Sequence, residues 1–188
     1  TQLPIYKMST HGWTLDNIYE LNRVLNKYEI NTPNRIAHFL TQCDIESEGG
    51  LKPVEQYKGE DIFDYFAKLY EREGKKEELG NTEKGDGTKY RGAGAIHLTG
   101  RHAYEEFSKY MGDDKILSEG ALYVAQNYYW EAAGYYWKVY KPNNSEYDLN
   151  QMCDDNCSVE EISIVVNGGP NGLERRKEAY PHYTDILK

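Results

Sequence analysis

Arg35-Ile36-Ala37-His38-Phe39-Leu40-Thr41-Gln42-Cys43-Asp44-Ile45-Glu46-Ser47-Glu48-Gly49-Gly50 is the stretch on which the reading of the chain turns. Thr32-Pro33 precedes it, an N-cap residue followed by proline at the first helical position. Gly49-Gly50 closes it, as glycine closes many helices. Ile36, Phe39, Leu40 and Cys43 recur at helical spacing and form the buried face. Glu46 lies three residues beyond Cys43, on that same face and in the last turn. Partial desolvation and the negative end of the helix dipole both disfavour a charge there. A carboxyl that keeps its proton is what general acid catalysis needs. The plain alternative is a solvated glutamate at a helix end, beside Asp44 and Glu48.

Outward from this helix the pattern stays mostly helical. Residues 14–28 carry Leu15, Ile18, Leu21 and Leu25 at amphipathic spacing. Residues 62–71 form a third helix with Phe63, Phe66, Leu69 and Tyr70. Between Gly80 and Gly100 stand Gly85, Gly87, Gly92 and Gly94, a density that breaks helices and permits tight turns. This segment is expected to be an irregular loop with short strands. Residues 121–140 read as one long aromatic helix. In it Tyr128, Tyr129, Trp130, Tyr135, Tyr136 and Trp137 surround the axis, so about half should be buried. Residues 160–166 start another helix, ended by Asn167-Gly168-Gly169-Pro170. A last helix covers residues 174–183, with Pro181 near its end. The fold class is α+β, mainly helical, with a small β or loop lobe. At 188 residues, without repeats or low-complexity linkers, the chain is expected to form one domain, 1–188.

Charge narrows the partners. The formal net charge is −9 and no basic stripe is present. Binding a polyphosphate backbone requires lysine and arginine to displace counterions, so nucleic acid is not expected. No run of 18 apolar residues occurs, so no membrane span is expected. Thr1-Gln2-Leu3-Pro4 shows no signal peptide and no initiator methionine. The chain is therefore expected to be a processed product or a piece of something longer, whose missing part could hold a targeting or wall-binding module. Cys43 reads as buried in its helix, while Cys153 and Cys157 lie close enough in sequence to pair. Gly87-Thr88-Lys89 lacks the phosphate-loop pattern, and His97 and His102 lack zinc spacing. Asp148, Asn150, Asp154, Asp155 and Asn156 lack the glycine and final glutamate of an EF-hand and read as a solvated loop. Neither metal nor cofactor is implied.

Four motifs carry a resemblance. The 35–50 run resembles the catalytic helix of glycoside hydrolase family 19, which holds chitinases and many phage endolysins. Gly80-Asn81-Thr82-Glu83-Lys84-Gly85-Asp86-Gly87 with Tyr90-Arg91-Gly92-Ala93-Gly94-Ala95-Ile96-His97-Leu98-Thr99-Gly100-Arg101 is similar to its glycine-rich substrate loop. Val165-Val166-Asn167-Gly168-Gly169-Pro170-Asn171-Gly172-Leu173 with Arg176 and Tyr180 resembles its C-terminal signature. Ala132-Ala133-Gly134-Tyr135-Tyr136-Trp137 resembles the helix between them, so the likeness spans residues 34–183.

The resemblance implies a lysozyme-like, two-lobed fold with a substrate cleft and an inverting mechanism. In such a mechanism Glu46 is the acid, and a second carboxylate, roughly 6.5–9.5 Å away, activates water. Two residues compete for that role. Glu55, nine residues after Glu46, matches the phage-type enzymes without a gap, and Glu71 suits the chitinase pattern with a short insertion. By the same resemblance Thr99 helps hold the attacking water, and Asn167 binds substrate and water. Arg176 is a cleft arginine able to pair with the base, and His97 can donate to a sugar carbonyl. Of the 18 tyrosines and three tryptophans able to stack on sugar, Tyr90 is the one expected in the cleft.

The chain departs from the family at Ile45, where histidine is usual, at His97, where glutamine is usual, and at Ala93, where arginine is usual. These changes bear on substrate contacts more than on the reaction. The Glu-Ser-x-Gly-Gly and Leu-Thr-Gly-Arg forms are closer to the endolysin-like branch than to plant chitinases. The expected activity is cleavage of peptidoglycan between N-acetylmuramic acid and N-acetylglucosamine, by a monomer acting outside the cell or at the wall. A chitinase is the first alternative, and a non-catalytic sugar-binding relative is the second.

Overall fold

The computed structural model describes residue 13, residues 15–140 and residues 146–188. Thr1 to Pro4, read above for a targeting signal, and Thr14 lie outside the described residues. Along the chain run α1 (Leu15–Lys27), α2 (Pro33–Ser47), α3 (Ile62–Tyr70), α4 (Lys75–Leu79), α5 (Asp86–Lys89) and α6 (Arg101–Met111). Then follow α7 (Lys115–Glu119), α8 (Ala121–Asn127), α9 (Tyr129–Tyr135) and a π-helical turn (Tyr136–Tyr140). The C-terminal part holds α10 (Leu149–Asp154), α11 (Val159–Asn167) and α12 (Leu173–Ile186).

The opening stretch is the axis of the molecule. Thr32 caps α2 through Arg35 N–H and Pro33 occupies its first turn, as the sequence predicts. Every side chain from Ile36 to Cys43 is buried, so α2 is a core helix rather than an amphipathic surface helix. Its polar residues therefore need internal partners. Thr41 donates to the Ala37 carbonyl at 2.7 Å. Gln42 donates to Ser163 Oγ at 3.1 Å. Ser47 donates to the Cys43 carbonyl at 2.8 Å and meets the Tyr129 hydroxyl at 2.8 Å. The helix ends one residue earlier than the glycines suggest. Glu48 itself takes the left-handed cap at φ 49°, followed by Gly49 and Gly50 at 63° and 91°. Gly50 is required there, since a Cβ would lie 2.6 Å from Trp13 Cδ1.

One cluster of buried apolar side chains surrounds α2. Helix α12 is its most extensive partner, and α10 and α11 also pack against it. Glu131, buried on α9, accepts from Arg23, Lys27 and Tyr28 and ties α1 to α9. The expected β content reduces, among the described residues, to two isolated bridges, Val54 with Ala93 and Ala93 with Leu98. The 80–100 segment is an irregular loop holding the short helix α5.

Several expectations are corrected. The 121–140 helix breaks at Tyr128, whose backbone sits at φ −136° and ψ 31°. Tyr123 and Tyr128 both reach Asp113 Oδ2, at 2.8 and 2.7 Å, and these tertiary bonds override the helical pattern. The burial split within that segment is as expected, with Trp130, Tyr135 and Trp137 inside. The 148–156 segment is not a solvated loop. Asp148 caps α10, and buried Asn150 accepts from Trp137 Nε1 at 2.9 Å. Cys153 and Cys157 are free thiols, the first buried in α10 and the second beyond its end. Pro181 lies inside α12, which continues to Ile186.

Candidate active site

Glu46 leaves the last turn of α2 with its side chain 20% exposed and Oε1 2.5 Å from Arg176 Nη2. Arg176 is itself buried and held on three sides. Nη1 donates to Gln42 Oε1 at 2.5 Å, and Nε donates to the Asn171 carbonyl at 3.3 Å. The Asn167 amide donates to that same carbonyl at 3.3 Å and to the Gly169 carbonyl at 3.4 Å. Glu46, Arg176 and Asn167 thus form one connected group, built by α2, α11 and α12. Arg176 was expected to pair with the base, and it pairs instead with Glu46. The reason is geometric. Arg176 projects from α12 directly onto α2, and both Gln42 and Glu46 stand on that face. Ile45 packs on the turn before α12, where a Cβ at Gly172 would lie 3.3 Å from its Cγ2.

A second group forms around the glycine-rich loop. Glu55 N–H donates to the Gly92 carbonyl at 2.8 Å, and Gly92 N–H returns a bond to Glu55 Oε2 at 3.1 Å. The Tyr70 hydroxyl, at the end of α3, donates to both Glu55 oxygens at 2.7 and 2.8 Å. Gly92 admits no side chain, because a Cβ would lie 2.8 Å from His97 Cβ and 3.2 Å from Glu55 Oε2. His97 sits in left-handed backbone at φ 56°, a conformation that clusters at functional sites. Its Nε2 donates to the Lys52 carbonyl at 2.8 Å, so that nitrogen is not open to a sugar. Thr99 Oγ1 donates to the His97 carbonyl at 2.7 Å. Ala93 is fully buried and carries both bridges, so its side chain has no place in a cleft.

The two groups meet at Tyr70. Burial, then Glu55, then Glu46 push its phenol well above the ordinary tyrosine range. Only Glu55 is hydrogen-bonded to this hydroxyl. The phenol stays protonated and serves as a donor. Tyr70 was read only as a helix residue in the sequence, and nothing in its spacing from Glu55 marks the pairing.

Glu71 and Tyr90 are placed elsewhere. Glu71 Oε1 accepts the N–H of Gly85 at 3.0 Å and of Gly87 at 2.9 Å, pinning the loop to the end of α3. Asp86 strengthens the same pin. It accepts from Thr82 and Glu83 N–H and pairs with Arg101 at 2.7 Å. Tyr90 is fully buried rather than in the cleft. Its ring lies 5.1 Å from that of Tyr104, and its hydroxyl donates to the Leu117 carbonyl at 3.1 Å.

No family model matches the chain. A glycosyl hydrolase family 19 domain-containing protein of Haemophilus influenzae is 32% identical over 167 residues, covering 77% of this chain and 76% of that protein. Among solved structures, chitinase C of Streptomyces griseus superposes with a TM-score of 0.73 at 15% identity, covering 98% of this chain and 92% of the other. A bacterial family 19 chitinase superposes with a TM-score of 0.71 at 16% identity, over 100% and 95% of the two chains. Fold and relatives together define a lysozyme-like glycoside hydrolase, mainly helical in its described residues. The chain belongs to glycoside hydrolase family 19.

Proposed function

We propose that this hydrolase cuts the β-1,4 bond between N-acetylmuramic acid and N-acetylglucosamine in peptidoglycan. The mechanism is inverting, with Glu46 as general acid and Glu55 as general base. The observation that supports Glu55 as the second carboxylate is the Tyr70 hydroxyl, bonded to both of its oxygens. Glu71 suits the role less, because one of its oxygens is occupied by two backbone donors of the loop.

Each step then has a group. Glu46 protonates the leaving oxygen, and Arg176 stabilises the carboxylate that remains. Glu55 has about four lone-pair sites and receives two protons, from Tyr70 and Gly92, so lone pairs remain for a water. Thr99 gives its own proton to the His97 carbonyl and offers its oxygen to that water. Asn167 lies beside Arg176, where it can meet an N-acetyl group. His97 fixes the 51–53 segment against the loop rather than contacting sugar.

Support for peptidoglycan comes from the Glu-Ser-x-Gly-Gly and Leu-Thr-Gly-Arg forms of the sequence, and the enzyme would act outside the cell at the wall. Chitin is the second reading, favoured by the chitinases that share the fold. Incubation with bacterial walls and with chitin oligomers separates the two. The walls should be solubilised with new reducing ends on muramic acid, and the oligomers cut slowly. Fast chitin cleavage with inert walls would select the second reading.

A further inference from the structure

An open concavity of about 410 Å³ lies between the first turn of α3 and the glycine-rich loop, and neither Glu46 nor Glu55 lines it. Phe63 forms its apolar wall and is 61% exposed. Its charged wall carries Lys84, Lys89, Arg101, Glu83 and Asp86. Arg101 engages both acids, Asp86 at 2.7 Å and Glu83 at 3.4 Å. Among the described residues no carboxylate stands within ion-pair distance of Lys84 or Lys89, and both are exposed. Of the other exposed lysines, Lys68, Lys109 and Lys188 have acid partners, whereas Lys58 and Lys115 have none among the described residues. With Lys84, Lys89 and Arg101 against Glu83 and Asp86, the lining carries one net positive charge on a chain of net charge −9, and Lys89 Nζ also lies 5.3 Å from the Tyr90 ring centroid.

The concavity is preformed. Glu71 and Asp86 fix the backbone of its floor through Gly85, Gly87, Thr82 and Glu83. Its position relative to the carboxylates follows from α3. Phe63 and Tyr70 are seven residues apart, two turns along one side of the helix, which is roughly 10 Å. Tyr70 holds Glu55. An extended tetrapeptide spans at most about 14 Å, longer than the Phe63–Tyr70 spacing along α3.

We propose that this concavity is a subsite for the acidic stem peptide of the glycan, with Lys84 and Lys89 receiving its carboxylates and Phe63 its apolar side chains. The inference rests on the peptidoglycan reading and gives that reading a physical basis, since chitin carries no such peptide.

The test compares glycan chains that bear peptides with the same chains stripped by an amidase. The wild-type enzyme should have the lower KM on peptide-bearing chains. Lys84→Gln with Lys89→Gln should raise that KM about fivefold, from two exposed ion pairs, leaving kcat and all constants on stripped chains unchanged. Phe63→Ala should act on the same substrate alone. These side chains are exposed, so an unchanged melting temperature confirms that the fold is kept. If wild type and variants treat both substrates alike, the subsite is overturned while the peptidoglycan reading stands. A loss on both substrates with Phe63→Ala would make Phe63 a sugar platform and overturn the peptide assignment. If wild type cuts neither glycan but cuts chitin, the functional reading falls and the subsite falls with it.

Discussion

Arg176 Nη2 stands 2.5 Å from Glu46 Oε1, joining residues 130 positions apart in the chain. The contact fixes the rotamer of Glu46 by a charge-assisted bond from a guanidinium that Gln42 and Asn171 already hold. Only one carboxyl oxygen is used. Among the described residues Oε2 has no hydrogen-bond partner.

Glu46→Gln tests the acid directly. The amide oxygen still accepts from Arg176, so the fold should be intact. Turnover should fall by roughly 10²–10⁴-fold, the usual worth of general acid catalysis. Retention of more than about a tenth of wild-type turnover would remove Glu46 from the role.

Glu55 and Glu71 separate by what each change damages. Glu55→Gln should cost several orders of magnitude in kcat with little loss of stability. Glu71→Ala removes the acceptor of two backbone N–H groups, one of them on buried Gly87. Leaving such donors unmet costs about 1–3 kcal/mol each, so a lowered melting temperature should precede any change in chemistry. Thermal melts and initial rates on both variants decide this. The reverse pattern would make Glu71 the base.

Tyr70→Phe keeps the ring, which stacks on Phe66 with centroids 6.0 Å apart, and deletes the hydroxyl that orients Glu55. As a positioning residue Tyr70 should affect kcat, by about tenfold, and leave KM near its wild-type value. Equal changes in KM and melting temperature would mark a structural role only.

His38 gives a pH dependence of stability. It is 1% exposed and stacks on Tyr180 at 4.3 Å. Burial lowers its pKa from 6.5 to about 4. The unfolded chain therefore binds a proton that the folded chain refuses between these values. The stability that neutral His38 contributes is full above 6.5 and declines as pH falls towards 4, by about 3 kcal/mol in all. His38→Phe should flatten that part of a melting-temperature profile, and an unchanged slope would acquit His38.

Much of this architecture is legible in the residues themselves. Ile36, Phe39, Leu40 and Cys43 mark a buried helix because burial follows the helical period, and Thr32-Pro33 marks its start because capping is local. Helix α11 and its stop at Gly168 are equally local. The errors are long-range. Nothing within 121–140 reveals that Tyr128 will leave the helix for Asp113. Tyr90 sits among cleft-like glycines, yet its ring finds Tyr104 and the core. The partner of Arg176 depends on how α12 lies on α2, which spacing does not encode. The backbone contacts of Glu71 with Gly85 and Gly87 are likewise invisible in its neighbours.

The central claim is that two carboxylates, Glu46 and Glu55, work on opposite faces of one sugar. A proton NMR time course on soluble peptidoglycan oligomers reads this from the first-formed reducing end. Water activated by Glu55 attacks opposite the leaving group, so the β-linked chain should yield the α-anomer first, with the β-anomer growing only by mutarotation. A first-formed β-anomer would mean a retained configuration and a different mechanism, and would contradict the account at its centre.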